Sequence, residues 1–331
     1  MRLWTLSALL ASGLVFTCIR VASAASTSSL PVRPELASPY QLYELELSPF
    51  SPAPNQPAGV LLHVSINGGR PLRMVLDSGA GFVVVSAKVG RALGLSSGSE
   101  MDLVGLGTRP AKMGIAEKVE VGNVSFRNCR VAMVQGKVIE GADGVIPLAM
   151  FSDFLIRLDL PGRTLALIPY AGEPRPEVSS LRADGETGFL LVGALLNRTY
   201  HGYVVLDTGA FCSGVSREMA GALNNSRPLG SLPIGAATGA ATGQLLPGAV
   251  HFEIAGQDLV PNEIVALDLL NLSRHCGMEV VGVIGFPVLR PYVLSVDYRN
   301  RSVRIDSKRP ASPRQRDRSH PEAPSAQLAF R

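Results

Sequence analysis

Two short segments carry the residues best suited to chemistry, Asp77-Ser78-Gly79 and Asp207-Thr208-Gly209. Each sets a carboxylate beside a hydroxyl and follows it with glycine. A carboxylate serves as general acid or base. Two carboxylates brought close cannot both ionise, so such a pair would share one proton and titrate as a unit. A lone Asp-[Ser/Thr]-Gly says little, because roughly one chain in ten of this length carries it by chance and an ordinary Asx turn accounts for it. Here each copy follows an apolar run, Arg73-Met74-Val75-Leu76 and Tyr203-Val204-Val205-Leu206, and each precedes Ala and another largely apolar stretch.

The surrounding elements repeat with the motifs. Residues 76–95 align with 206–225 at an offset of 130 and share eight identities, among them Ser86/Ser216 and Ala92-Leu93/Ala222-Leu223. Upstream, Leu61, Leu62, Val64, Ile66 and Asn67 face Leu191, Val192, Ala194, Leu196 and Asn197 in the same register. Asn67-Gly68 is a strong hairpin signal, and Asn197-Arg198 is placed in a second hairpin turn by the alignment. Downstream, Gly144-Val145-Ile146-Pro147 faces Gly282-Val283-Ile284-Gly285, and Phe154–Asp159 faces Tyr292–Asp297, at an offset of 138. The second unit therefore carries about eight extra residues in its middle, which a surface loop tolerates. Each unit reads as hairpin, Asp motif, short helix begun by Ser86 or Ser216, variable middle, and closing hairpin. The reading is gene duplication into two β-rich lobes.

This paired constellation resembles the aspartic proteases over roughly residues 58–306. The resemblance implies an all-β fold of two homologous, retropepsin-like β-barrel lobes, related by a pseudo-twofold axis with a cleft between them. It makes Asp77 and Asp207 the catalytic dyad and gives Ser78, Gly79, Thr208 and Gly209 supporting roles. The hydroxyls would brace the two loops against each other, and the glycines would allow a tight turn and close approach. One carboxylate would activate a water while its protonated partner donates a hydrogen bond to the scissile carbonyl; which Asp starts protonated is left open. Ala80 and Ala210 follow the glycines, as in retroviral-type enzymes, where pepsin-like ones carry Ser or Thr. Losing that hydroxyl raises a carboxylate pKa, so activity is expected at mildly acidic pH. The motifs are retroviral in type but both halves lie on one chain, so the active unit is expected to be a monomer. A peptide or protein substrate would lie extended across the cleft, bound through backbone hydrogen bonds and side-chain pockets.

The chain departs from the family in two places. Gly285 stands where members have Gly after the paired apolar residues of each lobe, but Pro147 stands in the first, lacking an N–H. No tyrosine occupies the first lobe's middle, where pepsin-like flaps carry one. The flap candidate there is Gly105, Leu106 and Gly107 within Val104–Thr108. In the second lobe, the glycine-rich Gly235–Gly243 reads equally as a mobile loop or a lid.

The remaining features bound the reading. With 46% hydrophobic and 18% charged residues, 34 Gly and 24 Pro, the composition excludes a disordered chain or a helical bundle and favours short strands joined by turns. Much of the net charge of +4 lies in Ser307–Arg331, and no aromatic–basic interleaving supports a nucleic-acid partner. Residues 1–24 read as a signal peptide: Arg2, an apolar stretch, then Ala22-Ser23-Ala24. The protein is expected to be secreted or periplasmic, with no stable membrane span after cleavage; an uncleaved signal anchor is the alternative. Residues 25–57 are expected to be a Ser/Pro-rich linker or short pro-segment with one strand at Tyr43–Leu47. The first lobe then covers 58–175, an interlobe linker 176–187, the second lobe 188–306, and a disordered basic tail 307–331. Cys129, Cys212 and Cys276 form an odd set, allowing one disulfide and one free thiol. Five scattered histidines and no Cys/His cluster point to no metal, and no cofactor motif is present. Two functions fit: an exported aspartic endopeptidase, or a non-catalytic, bilobal peptide-binding relative that kept the cleft.

Overall fold

The computed structural model describes residues 33–35, 41–51, 58–96, 98–170, 181–183, 188–223 and 227–307. All of them belong to one compact unit, Val32–Arg331. The expected signal peptide (1–24) and the tail beyond Ser307 lie outside the described residues. Among those residues no helix is long and apolar enough to cross a membrane.

The chain is mostly β, in three sheets. A nine-stranded sheet holds Asp77 and a ten-stranded sheet holds Asp207. Both have the same wiring around the aspartate. In the first, Gly144–Pro147 lies parallel to Leu72–Asp77 on one side and antiparallel to Val83–Ser86 on the other, pairing Pro147 with Asp77. In the second, Val280–Gly285 lies parallel to Tyr200–Asp207 and antiparallel to Ser213–Ser216, pairing Gly285 with Asp207. Parallel pairing on a central strand demands burial on both faces, and all four residues of Gly144–Pro147 and all six of Val280–Gly285 are buried.

Local signals account for the turns and helices. Ile66 C=O accepts from Gly69 N–H across Asn67 (φ 50°) and Gly68 (φ 70°), and Leu196 C=O accepts from Thr199 N–H across Asn197 (φ 45°) and Arg198 (φ 58°). Two consecutive positive φ angles make both turns type I′. Each Asn also ties its turn sideways: Asn67 Oδ1 accepts from Lys118 N–H at 3.2 Å, and Asn197 Oδ1 from His251 N–H at 2.9 Å. Ser86 and Ser216 cap the short helices Ala87–Ala92 and Arg217–Ala222, accepting from Val89 and Met219 N–H.

The third, five-stranded sheet runs Tyr43–Glu46, Thr164–Pro169, Phe154–Asp159, Tyr292–Asp297, Ser302–Ser307. Phe154–Asp159 and Tyr292–Asp297, the two closing hairpins' inner strands, pair antiparallel and join the halves. Tyr170 Oη donates to Asp297 Oδ1 at 2.7 Å, and the Arg299 guanidinium lies over the Tyr170 ring.

The described residues bear on three expectations. Among those within 25–57 there are three strands, Arg33–Glu35, Tyr43–Glu46 and Ser48–Phe50, each paired into a sheet. Tyr43, Leu45, Leu47 and Phe50 are buried in the core, so residues 43–50 pack as part of the fold. The expected linker 176–187 contains Leu181–Ala183, an edge strand on Leu190–Leu196. Cys129, Cys212 and Cys276 are all free thiols, so no disulfide forms among them.

Candidate active site

Each aspartate ends a strand, Leu72–Asp77 or Tyr200–Asp207, whose three preceding residues are buried and apolar and which delivers it to where the two sheets meet. The hydroxyl residues that follow are fully buried and grip one another. Ser78 N–H donates to Thr208 Oγ1 (3.1 Å) and Thr208 N–H to Ser78 Oγ (3.0 Å). Each hydroxyl then donates across to the opposite strand, Ser78 Oγ to Leu206 C=O (2.6 Å) and Thr208 Oγ1 to Leu76 C=O (2.8 Å). Every polar atom of the grip is thereby paired, as burial requires.

The glycines face the opposite carboxylate. A Cβ on Gly79 would lie 2.5 Å from Asp207 Cγ, and one on Gly209 2.5 Å from Asp77 Oδ2. Their amides turn back onto their own aspartates: Gly79 N–H donates to Asp77 Oδ1 (2.7 Å) and Gly209 N–H to Asp207 Oδ1 (2.8 Å). Each carboxyl therefore lies against the other's loop. Enclosure by protein, then the charge of Asp207 and the bond to it, hold Asp77 well above the usual carboxylate range. Enclosure raises Asp207 too, but the bond from Asp77 and the Gly209 and Ala210 amides favour its charged form. The pair is unequal.

Above the carboxylates lies a cavity of about 410 Å³. Val75, Val138 and Val145 line it from the first half, and Phe189, Val205 and Leu272 from the second. Of the flap candidates, Gly105 and Leu106 line the cavity, while Gly107 holds the tip of the same hairpin, Glu100–Val104 with Thr108–Val121. The stretch Gly235–Gly243 is not a loose loop: it forms a second hairpin, Gly230–Ala236 with Gly239–Leu245, whose Gly235–Thr238 also line the cavity. Glu140 is the only charged lining residue besides the aspartates, and Lys137 pairs with it at 2.8 Å.

Sequence reasoning missed Phe189, the Val138–Glu140 wall and Leu272. The last sits on the helix Leu270–Cys276, within the connection from Leu267 to Val280, longer than the Val134–Gly144 connection of the first half. The growth in repeat offset signalled extra residues there, not their place in the wall. Cys212 also lines the cavity, and burial with the charge of Asp207 pushes its thiol up to about 11, so it stays protonated and poorly nucleophilic. Among the described residues no group of three or more His, Cys, Asp or Glu side chains could hold a metal ion.

A sequence model of the aspartyl protease family matches residues 62–147. That segment contains Asp77-Ser78-Gly79, the first hairpin and the strand ending at Pro147, and it is similar to that family; Asp207 lies outside it. No curated protein matches the chain.

Proposed function

We propose, starting from the aspartyl protease segment over residues 62–147, that the chain is an exported aspartic endopeptidase built of two duplicated lobes. A single observation carries the reading: Asp77 and Asp207, each set against the other's glycine, meet on the floor of a largely apolar cavity, held by the reciprocal Ser78/Thr208 grip. The common wiring of the two sheets around their aspartates supports duplication.

In this reading Asp77, raised by enclosure and by the neighbouring carboxyl, holds the shared proton, and Asp207, accepting from Gly209 N–H, stays ionised. A water between them loses its proton to Asp207 as its oxygen attacks the scissile carbonyl carbon. The Asp77 proton goes to the carbonyl oxygen, giving a neutral gem-diol; the C–N bond then breaks as Asp207 passes its proton to the leaving nitrogen and a gem-diol hydroxyl returns one to Asp77. Both carboxyls end in their starting states. The cavity walls favour uncharged, apolar side chains around the scissile bond, since burying a charge there without a partner is costly.

The test is mass-spectrometric cleavage of a peptide library from pH 3 to 7, comparing the protein with its Asp207→Asn variant. Loss of cleavage in the variant supports the dyad. An intact library, with peptides retained by the folded protein, would transfer the site to the peptide-binding reading.

A further inference from the structure

The two hairpins that roof the cavity exchange their tips. Leu106, from the first, packs against the second half's apolar cluster of Phe189, Leu267 and Leu272. Ala237, from the second, packs against the first half's cluster of Val84, Leu103 and Val145. Glycine permits so close a crossing: a Cβ on Gly105 would lie 2.7 Å from Thr238 Oγ1, and one on Gly107 2.9 Å from Thr238 C=O. Direct hydrogen bonding between the tips is slight, with Gly107 N–H reaching Thr238 Oγ1 only at 3.4 Å.

One side chain supplies what the tips lack. Arg109, half-buried just behind the first tip, donates from Nη1 to Ala237 C=O at 3.0 Å, across to the other hairpin. Its Nη2 donates to Gln135 C=O and, at 2.9 Å, to Lys137 C=O, at the root of the Val138–Glu140 wall. Three carbonyls from two segments, one in each half, thus converge on one planar guanidinium, a geometry that a lysine ammonium on a flexible stem does not reproduce. Among the described residues the other hairpin offers no equivalent, continuing from Gly239 with Ala240 and Ala241.

We infer that Arg109 is a positioning residue for the cleft: it latches the second hairpin to the first and fixes the wall beside them, so that the roof stays closed over the aspartates. The role in catalysis rests on the protease reading above; the latch itself does not. A peptide can be admitted only as the Arg109–Ala237 bond breaks, and the bond re-forms over the bound chain.

Amide hydrogen exchange on the full chain tests the latch whether or not any peptide is cleaved. In Arg109→Met, the Thr238 and Gly239 amides of the opposite hairpin should exchange about tenfold faster, the loss expected for one charge-assisted hydrogen bond. Arg109→Lys should fall between, and Arg109→Gln replaces the Met variant if that fails to fold. Faster exchange confined to Gln135–Lys137, with Thr238 and Gly239 unchanged, would reduce Arg109 to a brace within its own half and overturn the inference. On a cleaved peptide, Arg109→Met should raise KM several-fold with kcat within about twofold. A fall in kcat at constant KM would overturn the positioning role while leaving the dyad reading intact.

Discussion

The two aspartate-bearing units share a backbone plan and differ in how they satisfy it. In the second, Gly285 N–H donates to Ser213 Oγ at 2.9 Å, and Phe286 N–H donates to Ala210 C=O at 2.9 Å. A Cβ on Gly285 would overlap Cys212 and Ala210 backbone, so the loop after Asp207 is drawn tightly against this turn. In the first unit the aligned residues are Pro147, which has no N–H to satisfy, and Val83, which has no hydroxyl to offer. The two positions match within each unit, polar with polar and apolar with apolar. The absent N–H of Pro147 is therefore matched by the absent hydroxyl of Val83. The lesson is that near-equal backbones around the two aspartates can be closed by different side-chain pairs.

The sharpest way to break this comparison is to neutralise each carboxyl in turn. Asp77→Asn and Asp207→Asn should each lower kcat by about 10²–10⁴-fold or more, the usual worth of a general acid or base. Their stabilities should separate. A carboxyl whose folded pKa is raised opposes folding as pH climbs from its unfolded value through its folded one. Asp77→Asn should therefore raise Tm at pH 7, gain nothing at pH 3, and exceed the gain from Asp207→Asn. Equal gains in calorimetry would make the carboxyls equivalent.

The grip predicts a smaller effect, felt in both units alike. Ser78→Ala and Thr208→Ala each strand a buried amide and a buried carbonyl, costing about 1–3 kcal/mol in urea unfolding. Their double variant should cost less than the sum, because the partners are shared. Full additivity would mean the two hydroxyls act independently.

Compensation at Val83/Pro147 can be tested by grafting the second unit's solution onto the first. Val83→Ser alone buries an unpaired hydroxyl and should destabilise by about 1–3 kcal/mol. Adding Pro147→Gly supplies the missing N–H and should recover about 1 kcal/mol of that loss. No coupling between the two substitutions would show that the positions vary independently.

What was legible in the sequence divides along physical lines. Motifs that act through their own backbone could be read directly: the Asp-[Ser/Thr]-Gly turns, the Asn turns, and the capping Ser86 and Ser216. The alternation in Tyr43–Leu47 announced a strand, but not that it completes the sheet joining the halves, since its partner Thr164–Pro169 is far along the chain. Ser48-Pro49-Phe50 and Leu181–Ala183 are three-residue edge strands, too short to carry a period and one of them containing Pro. The crossing of the hairpins was equally invisible, because Arg109 finds Ala237 only in three dimensions. Pro147 read as a defect until the residue opposite it was known.

The hairpin turns give the finest comparison, since they differ at one position. Both are type I′ and both use Asn first, but the second residue is Gly68 in one and Arg198 (φ 58°) in the other. A side chain in the left-handed region costs roughly 1 kcal/mol or somewhat less relative to glycine. Arg198 makes no hydrogen bond that would offset this, whereas its neighbour Thr199 donates from Oγ1 to Asn197 C=O at 3.1 Å. Arg198→Gly should therefore stabilise the fold by a few tenths to about 1 kcal/mol, less the entropy that glycine adds to the unfolded chain. Gly68→Arg should destabilise by a similar amount, as a Cβ there meets open space and only the backbone resists. Opposite and near-equal shifts in chemical unfolding would show that the two turns are interchangeable; a loss from Arg198→Gly would mean that Arg198 serves the second turn in a way its backbone does not reveal.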